Sequence, residues 1–387
     1  MSQGTLDTDP GINSEGLGLY MLKRGVDVAL PIKCKKFSFG QSNPTFMIID
    51  NIGKRFVVRK KPDGELISNT AHAVEREYRI IKALGDNTDV PVPKTYLLCE
   101  DTSILGTPFY IMEFLDGRIF VNPLLLEIDP SERKNYWKEL VRVLTRLHRV
   151  DFKKIGLTGY GRDSGYYSRQ CKSLHKVHDG QAASADRITG VKVGPLPKFY
   201  DLIQWFSDDK NRIPDDVSIV HGDYKLDNVV FHKTEPRIIG ILDWELSTIG
   251  NPRADLANMT QYLIDFSSKD YDSLVNQGES SGNSSLNNST SPINLIPNED
   301  EMVRLYCEYS DRDYPLPGWK YALSFSYLRN SVIGHGIAAR LARGQASSLN
   351  AKQASEMAPR SIMRSFEIAN SVSPVLPVID YSKSSKF

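Results

Sequence analysis

Two rhythms of apolar residues divide this chain. From about residue 20 to 112 they come as short runs rich in β-branched and aromatic side chains, the mark of strands. Phe37 and the run Thr45-Phe-Met-Ile-Ile49 flank Gly40-Gln-Ser42-Asn43, which predicts strand, tight turn, strand. Arg55-Phe-Val-Val-Arg59-Lys60 predicts the next strand, and Pro108-Phe-Tyr-Ile-Met112 a buried one leading into a turn at Gly117. Between them, residues 71–85 have helical spacing, with Gly85 placed to end the helix at C′. Further on the period lengthens. Asp129-Pro130-Ser-Glu132 offers a cap, a proline at N1 and an acid at N3. Trp137, Leu140, Val141, Leu144 and Leu147 then recur every three or four residues on one helix face. Helices are also predicted over 318–341 and 351–369.

In the middle of the helical part the strand rhythm returns briefly. Ser218-Ile-Val220 reads as a short strand. Residues 229–232 and 238–242, separated by the polar loop Lys233-Thr-Glu-Pro236-Arg237, read as a hairpin. The sum is an α+β chain with a polar leader (1–19), a β-rich N-lobe (20–115), a mainly helical C-lobe (116–375) and a tail (376–387). Within the C-lobe, residues 267–300 are so rich in Ser and Asn that they predict a disordered surface insertion. Its Asn-x-Ser/Thr triplets would be glycan acceptors only in a secreted protein.

Charge changes the picture little. The 387 residues carry 48 basic and 47 acidic side chains, so no global field points to nucleic acid or an anionic membrane. Four scattered cysteines without a C-x-x-C pair fit a reducing compartment and argue against a thiolate zinc site. His175 and His178 could share a helix face, but without further ligands nearby they read as an exposed polar stretch. No run of about 18 apolar residues occurs, so no membrane insertion is expected. The acidic start lacks the layout of a secretory signal. Ser385-Lys386-Phe387 is close to the Ser-Lys-Leu peroxisomal address, so a peroxisomal import receptor is an expected partner and the location is expected to be cytoplasmic or peroxisomal.

The chemistry concentrates in His221-Gly-Asp223-Tyr-Lys-Leu-Asp-Asn228, followed fifteen residues later by Asp243-Trp-Glu245. The Asp223 to Asn228 offset equals that of the protein-kinase catalytic loop, H-R-D-x-x-x-x-N, with Gly222 in place of the arginine. In such a loop the Asp takes the proton of the attacking hydroxyl and the Asn holds a magnesium ion. A hairpin returns its second strand to where the first began, so Asn228 and Asp243 should emerge side by side. Mg²⁺ keeps several waters, so one amide, one carboxylate and the substrate phosphates suffice to bind it. A triphosphate also needs backbone N–H groups in a tight turn and a fixed cation. Gly40, Ser42 and Asn43 could supply the turn, and either Arg59 or Lys60 the cation, because strand alternation sends only one of the two into a cleft. Glu75 or Glu77 from the following helix could hold that cation. Backbone groups from Glu113 to Leu115 would meet the adenine.

Taken together, these motifs resemble the aminoglycoside-phosphotransferase and choline-kinase-like family, closest to the kinase-like domain found fused to acyl-CoA dehydrogenases. The likeness rests on F-x-x-G-Q-S-N-P-T-F (37–46), V-V-R-K-K-P (57–62), R-E-Y (76–78), H-G-D-Y-K-L-D-N (221–228) and I-L-D-W-E-L-S-T-I-G-N-P (241–252), with Asp255-Leu-Ala, G-W-K-Y (318–321) and G-Q-A-S-S (344–348) extending it. It implies a bilobal protein-kinase-like fold. It places the cation on Arg59 and its partner on Glu77. Asp223 maps to the base, Asn228 and Asp243 to metal ligands, Asp255 to a structural acid and His221 to a scaffold. The implied activity is ATP- and Mg²⁺-dependent phosphorylation of a small-molecule hydroxyl. A 4-hydroxy fatty acid or its CoA ester is one implied acceptor; choline-, sugar- and aminoglycoside-like molecules are others. The helices near 160–210 and 329–340 would shape its pocket, with Tyr167, Arg169, Arg329 and Arg340 as contacts. Against the fused relatives, the sequence is expected to leave no room for the dehydrogenase, and it carries the Ser/Asn insertion. A nucleotide-binding pseudokinase is the rival reading, against which the intact Asp223, Asn228 and Asp243 stand.

Overall fold

The computed structural model describes residues 12–37, 43–62, 73–266, 296–346 and 349–376. The leader up to residue 11, the turn residues Gly40 and Ser42, most of the Ser/Asn-rich stretch and the tail from 377 lie outside the described residues. The chain divides into two compact units, Met1–Tyr160 with His221–Thr248 and Thr290–Ile296 in one, and Gly161–Val220 with Ile249–Ser289 and Pro297–Phe387 in the other.

The first unit is built on a five-stranded sheet. Its strands are β1 (Lys33–Lys36), β2 (Thr45–Ile49), β3 (Arg55–Lys60), β4 (Thr95–Cys99) and β5 (Phe109–Glu113), in the order β1-β2-β3-β5-β4. Each named neighbour pair runs antiparallel, as the short runs and tight connections require. Helix α1 (Ser14–Lys23) lays Leu17 and Met21 against Phe46, Ile48, Phe56, Val58 and Ile111 to form the core on one sheet face. The short α3 (Thr102–Leu105) closes the same core with Leu105.

The helix expected over 71–85 is α2 (Val74–Asn87). It runs past Gly85, which lies inside the helix instead of at C′. Thr88 ends it in an extended conformation and returns its N–H and hydroxyl to the Leu84 carbonyl. A hydroxyl that satisfies the last carbonyl removes the need for a left-handed glycine.

The helix after Asp129 also starts later than its cap pattern implies. Asp129 accepts from the Ser131 N–H and hydroxyl in a separate turn. The helix proper, α4, spans Arg133–His148, and Glu132 precedes it without a side-chain cap bond. Its apolar face is as expected: Trp137, Leu140, Val141, Leu144 and Leu147 are all buried. Strands β7 (Val229–Phe231) and β8 (Ile238–Ile241) pair antiparallel and complete the unit.

The second unit is mainly helical. It contains α5 (Tyr166–Ala182), α6 (Phe199–Ser207), α7 (Arg253–Phe266), α8 (Glu299–Ser310), α9 (Trp319–Ala342) and α10 (Leu349–Val372), with β6 (Ser218–Val220) beside β9 (Thr248–Gly250). The long pair α9 and α10 is joined by reciprocal bonds, each serine of Ser324 and Ser365 donating its hydroxyl to the other's carbonyl at 2.8 Å. The described chain resumes at the buried Ile296, and Asn298 and Glu301 form a capping box that opens α8.

His175 and His178 lie on α5 as expected, but His178 is not an exposed polar residue. Its ring stacks on Phe199 at 3.6 Å and on His335 at 5.0 Å, and its Nε2 accepts from the Leu196 N–H. Burial pushes its pKa down to about 4. Burial outweighs the Asp179 carboxylate, 3.3 Å from Nδ1, and favours the neutral ring, so His178 is a core side chain.

Candidate active site

Strand β3 sends the two candidate cations to opposite faces. Alternation along Arg55–Lys60 points Phe56, Val58 and Lys60 toward α1 and α3, where the Lys60 ammonium donates to the Leu105 carbonyl at 3.2 Å. Arg59 points the other way. Its Nε lies 2.8 Å from Glu77 Oε2, in a bent ion-pair contact. Its Nη2 lies 2.7 Å from Asp243 Oδ1 and 3.5 Å from Glu245 Oε2. Between the two candidate acids the structure selects Glu77. Glu75 sits one helix face away and takes Lys61 at 2.5 Å.

Glu77 is held from three sides. Besides Arg59, it accepts from Asn43 Nδ2 at 2.6 Å and from the Tyr110 hydroxyl at 3.1 Å. Tyr110 stands opposite Arg59 in the sheet register. With the side chain 1% exposed, burial pushes the Glu77 carboxyl up to about 7, and the Arg59 guanidinium pulls against it. Burial also works against the Arg59 charge, but Glu77, Asp243 and Glu245 outweigh it and raise the pKa of the guanidinium. Arg59 is thus a permanent, fixed cation.

The catalytic-loop motif is anchored by its own backbone. His221 Nδ1 accepts from the Asp223 N–H at 3.2 Å, and its Nε2 faces the Leu242 carbonyl at 2.8 Å. Both ring nitrogens are engaged, with the proton on Nε2. Gly222 has φ of +86°, and a Cβ there would lie 2.5 Å from the Leu246 carbonyl. That close approach explains a glycine where the protein-kinase loop has arginine. Tyr224 sends its hydroxyl to the Leu140 carbonyl on α4 at 2.9 Å. Asn228 Nδ2 donates to Asp223 Oδ2 and to the Asp223 carbonyl, both at 2.9 Å.

The hairpin delivers Asp243 to the same end. The Leu242 N–H donates to the Asn228 carbonyl at 2.8 Å, so the residues just before β7 and just after β8 lie side by side. Asp243 itself has φ of +63°, an uncommon conformation for a side chain other than glycine and one that recurs at functional turns. The turn after it is pinned. Trp244 Nε1 donates to the Ile241 carbonyl at 3.0 Å, and Ser247 bonds the Tyr160 hydroxyl at 2.7 Å. Arg76 of α2 lies over the Tyr160 ring and donates to the Tyr160 carbonyl.

At the end of β5 the Glu113 N–H donates to the Lys94 carbonyl at 2.8 Å. Leu115 packs so closely over β8 that a Cβ on Gly240 would meet its Cδ1 at 2.0 Å. The Leu115 carbonyl accepts from the Gly117 N–H at 3.1 Å in the turn that follows. Arg118, just beyond, exchanges both backbone bonds with Phe231 at 2.8 Å and ties the connector to β7.

The donor set suits a hard cation. Asn228 commits its Nδ2 to Asp223, which would leave its Oδ1 for an ion, and Asp243, whose Oδ1 lies 2.7 Å from Arg59 Nη2, would add a carboxylate oxygen. Among the described residues no group of three or more His, Cys, Asp or Glu side chains could hold a metal, so an ion here would rely on these two oxygens and on phosphates.

Arg59, Glu77, Asn43, Asp243, Asn228 and Asp223 thus all belong to the first unit. Tyr167, Arg169, Arg329 and Arg340 belong to the second. Tyr167 is buried among Tyr166, Tyr321 and Phe325 rather than presented to solvent, and Arg169 donates to the Arg162 carbonyl. Sequence reasoning missed Tyr110 and Glu245. Tyr110 reads as a core aromatic until its register opposite Arg59 is known. Glu245 stands two residues past Asp243, a spacing that a tight turn brings back onto the same cation.

A family model described as Phosphotransferase enzyme family matches residues 33–282. Over 325 residues the chain is 37% identical to the protein named probable acyl-CoA dehydrogenase IBR3 of Arabidopsis thaliana, covering 82% of this chain and 37% of that one. The chain spans well under half the length of the curated relatives it matches. A crystal structure of a putative aminoglycoside phosphotransferase from Ralstonia eutropha JMP134 superposes with a TM-score of 0.73 and 35% identity, covering 93% of this chain and 98% of that one. The streptomycin–ATP–APH(2″)-IIa ternary complex shares the fold alone, at 14% identity and a TM-score of 0.51, over 86% of this chain and 91% of that one. The five-stranded antiparallel sheet followed by a mainly helical remainder is the kinase-like fold of these phosphotransferases.

Proposed function

The chain belongs to the phosphotransferase enzyme family, and from that membership we propose an ATP- and Mg²⁺-dependent kinase that phosphorylates a hydroxyl of a small metabolite. The observation that carries this reading is the join at the hairpin. Asn228 bonds the Asp223 carboxylate through its side chain and the residue before Asp243 through its carbonyl, an arrangement that supports reading the three as a base and two metal ligands.

In the proposed reaction the acceptor oxygen forms a bond to the γ-phosphorus while the bond to the β-phosphate oxygen breaks, its electron pair leaving on ADP. The hydroxyl proton passes to the Asp223 carboxylate. Asn228 and Asp243 would hold Mg²⁺, which would supply neutralisation of phosphate charge. Arg59, fixed by Glu77, and the backbone near Asn43 position the donor phosphates.

For the acceptor we favour a 4-hydroxy fatty acid or its CoA ester. The support is the likeness to a protein named an acyl-CoA dehydrogenase, whose substrate class such a phosphorylation would feed. The test is Mg²⁺-dependent ATP consumption by the purified protein against 4-hydroxy acids, their CoA esters, choline and sugars. Turnover with the hydroxyacyl compounds alone is the expected result. Turnover with choline or a sugar instead would move the acceptor class, and ATP binding without any turnover would favour a pseudokinase.

A further inference from the structure

We propose that the hairpin at residues 184–194 docks the protein on an anionic phospholipid surface, with Ile188 and Val191 entering the headgroup layer. The hairpin belongs to the second unit, whereas Arg59, Asp223 and Asp243 belong to the first. Its tip is apolar and uncovered. Ile188 is 84% exposed and Val191 67%, with Thr189 and Gly190 between them. Single apolar residues scattered on a surface are ordinary, but two on one turn form a cap that water solvates poorly.

The tip is held rigid from within. Ala185 and Lys192 pair antiparallel, and the Val193 N–H donates to the Ser184 carbonyl at 2.9 Å. The Asp186 carboxylate accepts from the N–H groups of Ile188 and Thr189 at 2.9 and 2.8 Å, and from the Thr189 hydroxyl at 3.1 Å. Gly190, with φ of +70°, closes the turn by donating to the Asp186 carbonyl. A turn that meets its own N–H groups needs no further ordering when its side chains bind.

Cations surround this tip. Arg187 and Lys192 flank it within the hairpin. The Arg187 N–H donates to the Ala342 carbonyl at 3.0 Å, and a Cβ at Gly344 would meet its guanidinium at 2.8 Å. The hairpin is therefore seated on the end of α9 that carries Arg340 and Arg343. All four cations are exposed. Asp186 is the one acid in residues 184–194 and 340–345, so four cations less one acid leave a surplus of three. The near-neutral charge of the whole chain does not oppose this, because salt limits each charge to a reach of about 8–10 Å.

Chemistry selects the partner. A lipid surface offers phosphates to the cations and an acyl boundary to branched aliphatic side chains, and it requires no matching pocket. A folded protein partner needs about 800 Å² on each side, far more than two side chains supply. A single-stranded nucleic acid is gripped by stacking rings, which Ile188 and Val191 lack. Surface docking needs no spanning helix, and among the described residues none is long and apolar enough to be one.

The test is co-flotation of the full-length protein with vesicles of equal parts phosphatidylserine and phosphatidylcholine. Binding is expected there, and its loss in pure phosphatidylcholine or in high salt. Ile188→Asp combined with Val191→Asp should weaken binding about tenfold or more, the worth of one such side chain leaving water. Arg187→Gln with Lys192→Gln should weaken it about 20-fold, from roughly fivefold per cation near an anionic surface. Melting temperatures near wild type are expected for both, since all four side chains are exposed. Ile188→Trp adds a reading that does not depend on the loss of binding: its emission should shift to the blue when vesicles are added. A wild-type protein that stays off the anionic vesicles overturns the proposal. So does an aspartate variant that floats as well as wild type, or an Ile188→Trp emission that does not move. Retention on heparin without vesicle binding would make the patch a site for soluble polyanions and overturn it likewise.

Discussion

Replacing Asp223 with alanine is expected to lower phosphoryl transfer by about 10² to 10⁴ while leaving Mg-ATP affinity near wild type, the usual cost of losing a positioned general base. Asp223 does not hold the fold together: its side chain is 27% exposed. Its N–H bond to His221 and the carbonyl it offers Asn228 belong to the backbone and survive the substitution. What disappears is the carboxylate that accepts from Asn228 Nδ2 and faces Lys225. Asp223→Asn is the sharper control, since its amide oxygen can still accept from Asn228 but cannot take the proton. ADP release at saturating ATP and a calorimetric ATP titration read the two effects separately. Turnover close to wild type in either variant would remove Asp223 from its role.

Arg59→Met is expected to destabilise the folded protein by about 3–5 kcal/mol, the penalty for stranding a buried charge. Glu77 is 1% exposed and, among the described residues, would keep Asn43 and Tyr110 as hydrogen-bond partners. Burial already lifts its carboxyl above the ordinary range, and losing the guanidinium removes the influence that opposes this. A raised folded-state pKa means the native protein binds the proton more tightly than the unfolded chain. The stability of Arg59→Met should therefore fall as pH rises from the unfolded carboxylate value through the native one. Adding Glu77→Gln should return a large part of the loss and flatten that pH dependence. Urea unfolding of both variants between pH 5 and 8 checks it, and a single variant as stable as wild type at pH 8 would contradict the ion pair's place in the fold.

Much of the site was legible because its parts are local. A five-residue spacing, a hairpin loop and a strand period of two are read directly from the chain, and they brought Asn228 beside the residues leading to Asp243. Alternation separated Arg59 from Lys60 but could not say which face carried the acid. Only the seat of α2 on the sheet, with Glu77 above Tyr110, decides that. The pinning of Asp243-Trp-Glu245 through Ser247, Tyr160 and Arg76 joins segments far apart in sequence and leaves no local signal. Helix ends were the least legible. The Thr88 hydroxyl ends the helix where Gly85 was expected to, and Asp129 caps a turn three residues short of a helix. His178 reads as polar because only the rings of Phe199 and His335 make it a core residue.

Whether Asn228 and Asp243 form the metal-binding edge of a nucleotide site is read by calorimetric titration of the wild-type protein with ATP. Saturable binding in Mg²⁺ that weakens about tenfold or more in excess EDTA is the expected result, with a comparable weakening in Asp243→Ala with Mg²⁺ present. Equal ATP affinity with and without the metal, unchanged by Asp243→Ala, would contradict it.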